Sequence, residues 1–346
     1  GGVPIIEDPY ILTDEFLKER SSFEDCINFI VNELDKAAEL LPLVQSGVND
    51  GRSTKGAALA LKSRTLLYAA SDLYNTNIFA SYEKPELIRY TDNSRTERWK
   101  RAKDAAKAVI DLGQYQLYKD NPGVTENIPQ NLTEIFLNKK TVEDIFIKYF
   151  TIPMGQRAGL YSSPNGYHGW GTNAPLGDLV DDFEMINGDK FDWSNPTMSA
   201  KPYENRDPRF YSTILFNGAS WGVRPDDAKG LDSENKIQTG SWERWNSTAN
   251  RMEVFYGVDT RKSSIEDWNG SYTGYYLRKY IDPNNNAQYV NQTVTWRFIR
   301  YAEILLNYAE ACIELGEEAE AKVYLNKLRK RAGMPDITDS GNSLKQ

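Results

Sequence analysis

The chain has 346 residues, 26% of them charged and 40% hydrophobic, which is enough for one large core or two ordinary domains of roughly 100 to 200 residues each. A formal charge of -8 argues against nucleic acid and anionic membranes, which are recognised through clustered Lys and Arg, and no apolar run approaches the roughly 20 residues of a membrane-spanning helix. Neutral or cationic partners fit this balance better.

Taken in order, the chain opens on Gly1-Gly2-Val3-Pro4, without an initiator methionine, and reads as a processed or excised segment. The first helix is expected in "SSFEDCINFIVNELDKAAELLP", where Ser22 and Asp25 have capping-box spacing and Ile27, Ile30, Leu34, Ala38 and Leu41 make an apolar face ended by Pro42. Two alanine-rich amphipathic helices follow, in "TKGAALALKSRTLLYAASDLYN" and in "ERWKRAKDAAKAVIDLGQYQLY", the second stopped near Gly113. A long loop from Leu73 to about Arg98 separates them.

From about 120 to 295 the period changes. Short apolar pieces such as "EDIFIKYF" and "RFYSTILF" alternate with Gly, Asn, Pro and Ser, and "EMINGDKFDW" predicts a small hairpin around Asn187-Gly188. This part holds seven tryptophans, Trp170, Trp193, Trp221, Trp242, Trp245, Trp268 and Trp296 at its border, and leaves only Trp99 to the helical flanks. The last unit, "RYAEILLNYAEACIELGEEAEAKVYLNKLRKRAGMPD", fills a tetratricopeptide-like pattern with Leu305, Tyr308, Ala309, Cys312, Ala321 and Leu325, broken at Gly316 and followed by Pro335. The polar tail "DSGNSLKQ" carries no further period.

Five stretches, in order, resemble the SusD/RagB family of glycan-binding outer-membrane lipoproteins of Bacteroidetes nutrient-uptake systems. They are "GGVPII", "WGTNAPLGDLVDDFEMINGD", "PYENRDPRFYSTILFNGASW", "TGYYLRKYIDP" and "RFIRYAEILLNYAEACIELG". The resemblance implies a mostly α fold, with tetratricopeptide-like helix pairs forming a scaffold and a long loop-rich insertion with short strands forming the ligand face. The expected division is 1–119 for the N-terminal scaffold, 120–295 for the aromatic insertion and 296–346 for the helical hairpin and tail, in one compact unit. It further implies an oligosaccharide or polysaccharide ligand, a SusC-like TonB-dependent β-barrel partner, and a place on the outer-membrane surface through a lipid anchor. That family's anchoring cysteine, first helices and C-terminal portion fall outside this chain.

A sugar offers a face of C–H bonds and a rim of hydroxyls, so its site wants flat aromatic surface beside a few fixed polar groups. Candidates are Tyr167 and Trp170 in "NGYHGWG", Trp221 and Arg224 in "SWGVR", Trp242, Trp245 and Asn246 in "SWERWN", and Trp268, Asn269 and Tyr272 in "DWNGSY". Against the third group, Trp242, Trp245, Ala249 and Met252 also fit one buried face of a helix. Trp193, Trp296, Tyr275 and Tyr276 read instead as packing residues. Arg206, Asp207 and Arg209 around Pro208 read as an ion-paired turn.

Catalysis and metals find little material. The single histidine, His168, reads as a loop hydrogen-bonder, and Cys26 and Cys312 as buried thiols. No cofactor and no metal is expected, since Asp282, Asn284, Asp189 and Asp192 lack the spacing of a calcium loop. Two other functions compete with glycan capture. One is a glycosidase using two carboxylates about 5 to 9.5 Å apart, for which Asp181-Asp182 and Asp226-Asp227 are equally explained as solvated turns. The other is a peptide-binding repeat scaffold.

Overall fold

The computed structural model describes all residues except 78–80, 153, 286–287, 342–343 and 345–346. Part of the loop after Leu73 and part of the polar tail therefore lie outside the described residues.

Helix α1 (Phe23–Leu40) begins where expected. The Ser22 hydroxyl accepts the Asp25 N–H at 3.0 Å and donates to the Asp25 carboxylate at 2.7 Å, satisfying one of the orphan donors at the helix start. Its apolar face differs from the expected one. Phe23, Cys26, Ile27, Val31 and Ala38 are buried while Ile30 is exposed, because α1 packs mainly on α2 (Lys55–Ala70), with Phe23 against Tyr74 and Tyr90. The short α3 (Asp72–Asn75) precedes α4 (Arg95–Asp111), which ends at Gly113 in the left-handed region.

The insertion contributes α5 (Ile128–Leu137), strand β1 (Asp144–Lys148), one-turn helices α6 (Ala158–Ser162), α7 (Gly177–Asp181), α8 (Pro196–Ala200) and α9 (Pro208–Thr213), and strands β2 (Ile214–Leu215), β3 (Ser241–Asn246), β4 (Arg251–Tyr256) and β5 (Tyr276–Leu277). Strand β6 (Trp296–Arg300) then leads into α10 (Tyr301–Glu314) and α11 (Glu318–Arg331). The strands form three antiparallel pairs, β1 with β6, β2 with β5 and β3 with β4. The fold is thus mostly α, with short strands confined to the insertion and its borders.

The scaffold core is built from small residues. Ala60, Ala102, Ala106, Ala309 and Ala311 are almost completely buried, which lets α2, α4 and α10 approach closely. Ile304 and Leu305 fill the remaining space, each worth about 1.5–3 kcal/mol on burial. Every slot of the tetratricopeptide-like pattern points into this core, Leu325 only partly. Gly316, with φ +79° and no atom near its missing Cβ, turns the chain between α10 and α11, while the Glu317 N–H reaches the Cys312 carbonyl. Cys26 and Cys312 are buried free thiols.

Buried arginines order the insertion instead. Arg297 pairs with Asp144 at 2.6 Å and donates to the Phe136 and Asn138 carbonyls at the end of α5. Arg206 donates to the Pro202, Val180 and Phe183 carbonyls at 2.6–2.8 Å. Asp207 caps α9 and pairs with Arg209, so the ion-paired turn before a strand is present, with the one-turn helix α9 between them. At Asn187-Gly188 the turn forms, Met185 N–H bonding the Asp189 carbonyl, but not the hairpin: Met185 bridges to Arg206.

Candidate functional site

All four aromatic stretches singled out in the sequence are rooted in one buried polar nucleus. At its centre Arg224 is buried and bonds both oxygens of Asp259 at 2.7 Å and one oxygen of Asp232 at 2.8 Å. Burial works against the guanidinium charge, but hydrogen bonds and Coulomb attraction to Asp259 outweigh it and hold Arg224 above its ordinary value. Burial likewise pushes the Asp259 carboxyl up, while Arg224 and the Gln238 N–H pull it down. The two-pronged geometry is that of an ionised pair.

Each stretch is tied to this centre. Tyr167 lies 4.2 Å beneath the Arg224 guanidinium and donates its hydroxyl to the Gly222 carbonyl at 2.9 Å, joining "NGYHGWG" to "SWGVR". The Asn165 amide donates to the Val258, Thr260 and Ile265 carbonyls, and the Tyr276 hydroxyl reaches Asn165 and the Asp259 carbonyl, fastening the loop that carries "DWNGSY". Gly166 admits this arrangement, since a Cβ there would stand 2.5 Å from both Arg224 and Asp259. The Gly257 N–H to Gly240 and the Gln238 N–H to Asp259 close the root of the β3–β4 ribbon that carries "SWERWN".

Two candidates are corrected by this geometry. Arg224 and Tyr167 are buried and spent on the nucleus, so neither offers a polar group or a ring face to a ligand. Trp221 is half-buried beside Arg278, 5.6 Å from its ring. Trp170 is exposed, edge-on to Tyr161 at 5.5 Å. Trp268 and Tyr272 are 69% and 86% exposed, and Arg261 sits between them, 3.9 Å over the Tyr272 ring and 3.0 Å from the Trp268 carbonyl. Asn269 is half-buried, its amide donating to Glu266 at 2.9 Å.

The helix reading of Trp242, Trp245, Ala249 and Met252 is overturned. Strands β3 and β4 pair without a bulge, Trp242 facing Phe255 and Trp245 facing Met252, and Ala249 lies in the connecting turn, whose Thr248 and Ala249 N–H groups bond to the Asn246 side chain. Asn246 is thus a turn residue, with its own amide held by Glu253 at 2.6 Å. Both tryptophans are exposed, at 45% and 53%. Three residues apart on a strand, they point to opposite faces, so they cannot act as one platform. Trp245 shares its face with Met252, Val254 and Tyr256, and Trp242 with Phe255, over which Arg244 stacks at 4.2 Å.

Trp242 borders a cleft of about 520 Å³ at the ribbon's root, where Asn217, Ser233, Glu234 and Gln238 supply polar groups. A second groove, of about 550 Å³ and more apolar, lies far from these residues between the 43–54 loop and β1.

Other expectations also need revision. Trp193 and Trp296 are exposed rather than packed inside, Trp193 edge-on to Phe191 and Trp296 stacked on Tyr280, whereas Tyr276 is fully buried and Tyr275 half-buried. His168 bonds Glu266 at 2.9 Å and Asp227 at 3.2 Å. It links the Trp170 and Trp268 loops, a role that no sequence spacing signals. Among the described residues no group of three or more metal-ligating side chains is gathered, and no helix is long and apolar enough to cross a membrane.

The SusD family model matches residues 147–346. A SusD-like protein from Bacteroides fragilis NCTC 9343 superposes with TM-score 0.72 at 28% identity, over 100% of this chain and 60% of its own. A SusD-like carbohydrate-binding protein from the same strain gives TM-score 0.70 at 22% identity over 99% and 58%. Surface glycan-binding protein A from Bacteroides thetaiotaomicron in complex with laminarihexaose gives 0.54 at 18% over 94% and 58%. The chain thus spans about three-fifths of the length of these solved proteins, and no curated protein matches it. With more than half its length covered by the family model and the same helix-rich fold throughout, the chain belongs to the SusD family.

Proposed function

We propose that this protein binds an oligosaccharide without turning it over and delivers it, at the outer-membrane surface, to a TonB-dependent β-barrel. The observation that carries the binding step is the cleft beside Trp242. One exposed indole adjoins carboxylate, amide and hydroxyl groups in a volume within the range of small-ligand sites, roughly 300–1,000 Å³. Trp170, Trp268 and Tyr272 extend the aromatic surface from the same nucleus, with Asn269 among their polar neighbours. Family membership supports the reading, as does the solved complex of a protein of the same fold with laminarihexaose.

Titration against an oligosaccharide panel tests it. Trp242→Ala should weaken the best ligand more than tenfold, about the loss of one aromatic contact, while Trp245→Ala on the opposite face leaves affinity unchanged and both variants melt like the parent. Equal affinity in all three proteins would remove the cleft from the site. New reducing ends after incubation would turn the reading to hydrolysis, and absence of a β-barrel from gently solubilised complexes of the full-length protein would count against delivery.

A further inference from the structure

Away from the aromatic loops, two arginines from two elements meet on one buried carboxylate, and a lysine shares an aromatic ring with one of them. Glu143, just before β1, is completely buried. It accepts from Arg300 at 2.8 Å, from the Tyr118 N–H at 2.9 Å, and from Arg331 of α11. Arg331 is more than nine-tenths buried, and its Nε has no hydrogen-bond partner among the described residues. Lys279, just after β5, places its ammonium 4.5 Å from the centre of the Phe136 ring, with the Arg300 guanidinium 5.5 Å from the same ring.

The charges do not balance. No carboxylate among the described residues pairs with Lys279. Burial, Arg300 and Arg331 all act against its charge and lower its pKa to about 8. Asp207 and Asp144 are committed to Arg209 and Arg297. Desolvating like charges together is costly unless an opposite charge joins them. Arg300 keeps 24% of its side chain exposed and Lys279 is half-buried, so the cluster meets solvent on their side, with Arg331 behind. This local excess sits in a chain of net charge -8.

We propose that Lys279, Arg300 and Arg331 form a binding site for an oxyanion, either a small inorganic ion or the charged group of an acidic sugar, with Phe136 as its apolar wall. Arginine offers planar forks to two oxygens, and lysine a mobile third donor. Glu143 holds the two arginines in place, one on each of its oxygens, and leaves Lys279 without a carboxylate. The site stands on this charge arrangement and is independent of the glycan reading.

Thermal melts of the whole chain in sodium sulfate, against sodium chloride at matched ionic strength, provide the test, with glucuronate and neutral glucose as further arms. Sulfate or glucuronate should raise Tm by several degrees with saturation, and chloride and glucose should not. A larger response to glucuronate assigns the site to an acidic sugar, and a larger one to sulfate assigns it to an inorganic ion. Lys279→Met should abolish the response yet melt at or above the parent without anion, because the ammonium it removes has no carboxylate to offset its burial and Met keeps the contact with Phe136.

The pH dependence gives a second readout. A lysine depressed in the folded state penalises stability fully below pH 8, and the penalty fades as the unfolded chain loses the same proton near its ordinary pKa of 10.5. The advantage of Lys279→Met should therefore shrink over that window. In the parent protein, NMR titration of Lys279 should show its midpoint rising when sulfate is bound. A parent Tm that follows ionic strength alone, an identical response in Lys279→Met, or an unmoved Lys279 midpoint would each overturn the proposal.

Discussion

The helical scaffold and the aromatic insertion are stabilised by opposite means. Between α2, α4 and α10 the interior is alanine, leucine and isoleucine, and the ion pairs lie toward the surface, as with Arg64 and Glu303, each about 30% exposed. In the insertion the centre is charged: Arg206, Arg224, Asp232 and Asp259 are buried, and the apolar clusters are small groups around them. Apolar packing is graded and tolerant of repacking, whereas a buried charge is either fully paired or expensive. The scaffold can therefore absorb substitutions gradually, and the insertion should fail abruptly at a few positions.

The sharpest break is Asp259→Ala, which strands the Arg224 guanidinium inside. It should cost about 3–5 kcal/mol and remove glycan binding, with hydrogen exchange accelerating first around Asn165, Gly257 and Ser271 while α2 and α10 stay protected. Uniform acceleration in both regions would show that they unfold as one unit. Leu305→Ala in the scaffold should cost about 2–5 kcal/mol in a chemical melt but leave the affinity of the folded protein for oligosaccharide intact. The smallest effect is expected at Gly316→Ala. A side chain forced into the left-handed turn costs about 1–2 kcal/mol and should lower the scaffold's melting temperature by a few degrees with no change in binding.

The same contrast explains what was legible beforehand. The scaffold declares itself by spacing, because residues three and four apart share a helix face, and the tetratricopeptide-like slots from Leu305 to Leu325 fall where that rule puts them. Even there, the buried face of α1 shifts from Ile30 to Val31, which joins the cluster around Leu66, Leu67 and Tyr90, a contact no local period reports. In the insertion the decisive bonds join distant residues, Arg224 to Asp259 and Asn165 to Ile265, and no local period reports them. Arg224 therefore looked like a ligand contact when read beside Trp221. Trp242 and Trp245 were ambiguous because a spacing of three suits a helix face, and only the register with β4 sends them to opposite sides. Trp193 and Trp296 misled in the other direction, since large aromatic residues are usually buried.

The pairing of β1 with β6 has a practical consequence. Asp144 lies opposite Arg300 and Lys148 opposite Trp296, so the polypeptide leaves the scaffold and returns to it through adjacent positions on a single ribbon. The chain between Lys148 and Trp296 enters and leaves at one doorway, and Glu184 within it pairs with Arg329 of α11. Loops of different length can be exchanged through that doorway provided the Glu184–Arg329 pair is kept, which makes the ribbon the natural splice point for redesigning the insertion.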